Sequence, residues 1–97
     1  MSYSTIVKEL ANQLDHYIIA FDNLPQRGGC ILYLNGPLRR VEVRREALDR
    51  GANEVASFVR QLLNGAPVKA TRVSVSVRDD ELALMDEETG PEYISGN

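Results

Sequence analysis

The sequence predicts an α+β domain: a two-layer sandwich in which an antiparallel sheet of four or five strands carries two helices on one face, in the order α-β-β-α-β-β. Three observations lead there. In residues 70–78, Thr71, Val73, Val75 and Val77 alternate with Arg72, Ser74, Ser76 and Arg78, which is the period of a half-buried strand. Two other stretches carry apolar residues at steps of three and four, the period of an amphipathic helix. Asn35-Gly36 lies between two strand-like runs, and both residues tolerate the positive φ that tight hairpins need. Placing both helices on one face of the sheet buries both apolar stripes at once.

The first helix is expected to start at Ser4 or Thr5, either of which can cap it, and to run to Asn23. Ile6, Val7, Leu10, Leu14, Tyr17, Ile18 and Phe21 share one face, and Pro25 disfavours helical backbone at Leu24. Gln26-Arg27-Gly28-Gly29 then reads as a flexible connector. Cys30-Ile31-Leu32-Tyr33-Leu34 is a short apolar run of strand formers. Pro37 lengthens the loop begun by Asn35-Gly36. The return strand covers residues 39–45, with Val41 and Val43 on one side and Arg40, Glu42 and Arg44 on the other.

A second helix lies within residues 46–63, striped by Leu48, Ala52, Val55, Val59 and Leu62. Gly51 either weakens its first turns, by about 1 kcal/mol relative to Ala, or separates a short turn from the main helix. Asn64-Gly65 and Pro67 supply its stop. After the strand at 70–78, Asp79-Asp80 reads as a turn. Residues 81–85 suit a helix capped by Asp80 or a returning strand with Leu82 and Leu84 inward, and the strand is the preferred reading. Residues 86–90 resemble another hairpin loop, 91–94 an edge strand and 95–97 a frayed end.

The chain has 97 residues, 43% of them hydrophobic, enough for one domain spanning 1–97 with a core that needs no disulfide. Its single cysteine, Cys30, can form neither an internal bridge nor a cysteine-based zinc site. Lys8, Glu9 and Asp15 interrupt the N-terminal apolar stretch, unlike a secretory leader. No apolar run approaches the ~20 residues of a membrane span. These features lead us to expect a cytoplasmic protein that does not engage membranes. The net charge of −3 is segregated: residues 26–78 carry ten cations against four acids, whereas residues 79–97 carry seven acids and no base. Nine of the eleven cations are arginine, whose forked donors grip carboxylates and phosphates.

No catalytic, metal or cofactor constellation emerges. His16, the only histidine, projects away from the apolar stripe of the first helix, toward water beside Glu9 and Asn12. Cys30 starts a strand rather than a helix, so no helix N-terminus activates it. Arg27-Gly28-Gly29 also leads into a strand, whereas phosphate-cradling loops lead into helices. Asp79, Asp80, Glu81, Asp86, Glu87 and Glu88 lack the spacing of a calcium loop. The informative set is the outer face of the central strands. There the expected registers gather Arg40, Arg44, Arg72 and Arg78 with Ser74 and Ser76, and Tyr33 nearby. Such a face suits an acidic protein patch or an anion; its alternative reading is a solvated surface whose arginines pair with Glu42 and the acidic turns.

The expected function is therefore a small non-enzymatic interaction or regulatory protein, of inhibitor or adaptor type, that binds another protein through the arginine-rich sheet face. The alternative is a module for a small anionic ligand or nucleotide, formed at a dimer interface. Nucleic-acid binding ranks behind both, because the protein is acidic overall and lacks an aromatic stacking platform. Enzymatic activity ranks last. No cofactor and no metal are expected. A homodimer is expected because a small open sheet leaves edge strands.

Overall fold

The computed structural model describes residues 3–24, 26, 28–65 and 69–86. The order of elements is α1 (Tyr3–Gln13), β1 (Ile18–Leu24), β2 (Gly29–Leu34), β3 (Arg40–Val43), α2 (Arg45–Leu48), α3 (Ala52–Asn64), β4 (Arg72–Arg78) and β5 (Glu81–Asp86). The five strands form one mixed sheet in the order β1-β2-β3-β4-β5, with β3 and β4 parallel and every other neighbouring pair antiparallel.

The expected α+β class holds, with three corrections to its arrangement. The sheet is mixed rather than antiparallel, because α3 carries the chain back along the sheet before β4 begins. Its 13 residues span about 20 Å, the length of a strand, so β3 and β4 must run the same way. Gly51 separates α2 from α3 as the N-cap residue of α3, at φ 95°, giving three helices instead of two. The extra strand is β1, formed by residues expected to end the first helix. The edge strand expected at 91–94, the loop at 87–90 and the frayed end lie outside the described residues.

Helix α1 stops at Gln13, where Arg60 Nη1 donates to the Gln13 carbonyl at 3.3 Å. The backbone then turns through Leu14, whose carbonyl accepts from the amides of Tyr17 (2.9 Å) and Ile18 (3.2 Å). Ile18 and Ile19 are β-branched and favour strands, and pairing along β2 extends the sheet. The 3-4 spacing of Tyr17, Ile18 and Phe21 continues the helical stripe only in sequence.

The core lies between the helices and one face of the sheet. Val7, Leu10 and Leu14 from the first helical segment, Ala47 and Leu48 from α2, and Val55, Ala56 and Val59 from α3 pack with Cys30, Leu32, Leu34, Val41, Val43, Val73 and Val75. Burial of each of the four central valines contributes roughly 1.5–3 kcal/mol. Leu82 and Leu84 pack against the same cluster from β5, on the inward side expected for them.

Two local constraints hold the strands in register. A Cβ built on Gly29 would lie 2.5 Å from the Val43 carbonyl oxygen, so this glycine permits the close approach of β2 to the end of β3. It is a packing requirement rather than part of a flexible connector. Asp79 and Asp80, at φ 52° and 65°, form the two-residue β4–β5 turn, and Arg50 Nη1 donates to the Asp80 carbonyl at 3.0 Å. Gly29→Ala is expected to destabilise the domain by about 1–3 kcal/mol through overpacking. Asp79→Asn with Asp80→Gly supplies the residues this turn prefers and is expected to stabilise it by about 0.5–1 kcal/mol. Urea unfolding of the two variants checks both directions.

Candidate functional site

Alternation along β2, β3 and β4 decides what the face of the sheet away from the described helices carries. With Leu32, Val41 and Val73 inward, their neighbours must point outward. Register then aligns them in rows. Tyr33, Arg40 and Arg72 lie opposite one another in the first row; Asp22, Ile31, Glu42, Ser74 and Met85 form the next. Ser76 lies opposite Ala83, and Arg78 opposite Glu81. Arg44 continues β3 in extended backbone, its amide donating to the Val75 carbonyl at 2.9 Å.

All seven residues singled out from the sequence, Tyr33, Arg40, Arg44, Arg72, Arg78, Ser74 and Ser76, therefore belong to this one face. They are not equally accessible. Arg44, Arg72 and Arg78 are exposed and Tyr33 and Arg40 half-buried, whereas Ser74 (1% exposed) and Ser76 are buried. Glu42 (5% exposed) and Ile31 are buried with them. These two belong to the centre of the face, and the same period-two parity that located the arginines marks them. The face thus has a buried middle of Ile31, Glu42, Ser74 and Ser76 with cations around it.

Its polar groups are partly engaged. Arg40 Nη2 lies 3.9 Å from Glu42 Oε1, and the Tyr33 hydroxyl donates to Asp22 Oδ2 at 3.2 Å. Arg72, Arg78, Glu42 and Ser76 also hold partners within the chain. Arg40 Nε and Ser74 Oγ are buried without a hydrogen-bond partner, an arrangement that costs on the order of 1–3 kcal/mol per group. Arg40 and Arg72 stand directly opposite each other, and like charges in that position are destabilising.

The other candidates separate from this face. His16 is exposed, but in the turn after α1 rather than on the helix beside Glu9 and Asn12. It lines a cleft of about 510 Å³ together with Ile18, Ile19, Leu34, Leu38 and Leu63. The helix expected to run to Asn23 hid this cleft, because Ile18 and Ile19 of its lining belong to β1. Arg27 lies outside the described residues, as do Glu87 and Glu88. Among the described residues, no three His, Cys, Asp or Glu side chains gather as a cation site, and no helix is long and apolar enough to cross a membrane.

No family model matches the chain, and no curated protein or solved structure matches it significantly.

Cys30 faces the helices and is fully buried. Burial pushes its thiol from an ordinary 9.0 up to about 12; a backbone hydrogen bond with Val43 acts in the opposite direction, and the Glu42 carboxylate adds to the rise. The thiolate is the reactive form, so Cys30 is inert in the folded protein. Iodoacetamide at pH 8 is expected to label Cys30 in urea and leave it unlabelled in buffer. Between pH 9.0 and about 12 the unfolded chain releases this proton and the folded chain keeps it, so stability falls as pH rises through that window. Cys30→Ala is expected to flatten this alkaline slope, measured by urea unfolding at successive pH values.

Proposed function

We propose that this protein is a small non-enzymatic interaction module, of inhibitor or adaptor type, that docks an acidic surface of another protein on the sheet face away from the described helices. The observation that carries this reading is the register of Arg40 with Arg72, which sets two arginines opposite each other across β3 and β4. A like-charge pair in register weakens a sheet, and features that cost stability gather at functional sites. An acidic partner relieves that repulsion.

Docking is an exchange of contacts, since Arg72, Arg78, Glu42 and Ser76 already hold partners within the chain. The exposed Arg44, Arg72 and Arg78 steer the encounter, and the half-buried Tyr33 supplies the apolar part of the contact. A macromolecular partner is favoured over a small anion or nucleotide because the 510 Å³ cleft is lined mainly by apolar side chains, with His16 and Asn35, and by none of these arginines. Small-ligand sites are concave and enclose most of the ligand. The inert single thiol suits a reducing, cytoplasmic setting.

The test replaces Arg40, Arg44, Arg72 and Arg78 with serine and compares affinity capture by this variant and the wild type, with nuclease and at two salt concentrations. One stoichiometric acidic protein retained after nuclease, weakened by salt and lost with the arginines is the expected result. A variant that melts cooperatively yet captures the same partner rejects the face, and capture that disappears with nuclease replaces this reading by nucleic-acid binding.

A further inference from the structure

At the opposite end of the sheet from β5, β1 is an edge strand: no described strand pairs with its far side. An edge of this kind offers a row of backbone donors and acceptors to an incoming strand. Proteins commonly blunt such an edge with lysine or proline, and β1 contains neither. Its one irregularity is a register shift between Ile18 and Ala20. The shift leaves Ile19 68% exposed, and Phe21 is 37% exposed; these are the large exposed hydrophobic residues among those described. The regular edge from Ala20 to Leu24 thus leads directly into the apolar cleft, whose wall Ile18 and Ile19 form with Leu34, Leu38 and Leu63.

The two flanks of this edge differ. Phe21, opposite Leu32, belongs to the helix side, as does Ile18, opposite Leu34. Asp22, opposite Ile31, belongs to the outer side and is exposed. From Glu9 to Gln26 the chain contains Glu9, Asp15 and Asp22 and no lysine or arginine. A second copy of this chain is a poorer occupant than a basic segment, because the one charged residue of β1 is Asp22 and a second β1 edge brings no cation to it.

We propose that β1 is a second docking site, separated from the arginines of β4 by β2 and β3, which receives an extended basic-apolar peptide segment by strand addition. Alternate apolar side chains of the segment lie over Phe21 and enter the cleft, and the intervening Lys or Arg side chains lie beside Asp22. Backbone pairing supplies direction, and alternation supplies selectivity.

The test is an NMR titration of the full chain with a blocked octapeptide of alternating valine and lysine. The expected result is saturable shifts confined to residues 18–24 and the cleft. Ile19→Ser and Asp22→Lys are each expected to weaken binding about tenfold or more while leaving the fold intact. Two further peptides, N-methylated at all valines or at all lysines, separate strand addition from loose apolar adsorption. Alternate amides of a strand point to opposite edges, so one peptide keeps binding and the other loses it. Equal behaviour of the two overturns the proposal. So does the absence of saturable shifts at millimolar peptide, or the appearance of shifts at Arg44, Arg72 and Arg78. Concentration-dependent dimerisation through β1 in the absence of peptide overturns it in favour of a second copy.

Discussion

The structure depends on the parallel pairing of β3 with β4, imposed by the return of α3 across the sheet. That pairing places Val41 beside Val73 and Val43 beside Val75, and the four valines form the fully buried floor on which the helices pack. Everything on the other face follows from the same register. Once the valines face the helices, Arg40, Glu42, Arg72, Ser74 and Ser76 have no alternative to the outer side. Because the strands are parallel, Arg40 meets Arg72 rather than the Ser76 end of β4. The charge row is thus a consequence of the packing that stabilises the fold.

Where periodicity was the governing signal, the sequence was informative. The alternation in β4 and β3 gave the correct inward and outward sets. Gly51 marked the break between α2 and α3, Asn35-Gly36 with Pro37 marked a longer hairpin loop, and Asp79-Asp80 marked the β4–β5 turn. Two features were not legible. Ile18 and Phe21 continue a helical spacing begun at Ile6, and no local pattern weighs that against pairing with β2. Strand direction depends on the path taken by α3, so the alternation of β3 and β4 is compatible with either orientation. For the same reason the candidate residues were found but their pairing was not, and the burial of Ser74 and Ser76 emerged only with their neighbours in place.

The two exposed regions of the sheet are chemically distinct. The outer face gathers cations around a buried polar middle, at a cost in like-charge repulsion and in two buried donors without partners. The β1 edge carries one acid, Asp22, with the exposed Ile19 and Phe21, and no cation. This separation follows from the segregation of charge along the chain: residues 9–26, without lysine or arginine, supply the edge strand, and the arginine-rich middle supplies the centre of the sheet.

The most direct measurement is the pattern of cross-strand nuclear Overhauser effects between β3 and β4 in protein with labelled valines. Contacts of Val41 with Val73 and of Val43 with Val75 are the predicted pairs. They would place Arg40 beside Arg72 and sustain the charge row on which the proposed docking face rests. Contacts of Val41 with Val75 and of Val43 with Val73 would show antiparallel pairing, move Arg40 away from Arg72 and contradict the account at its foundation.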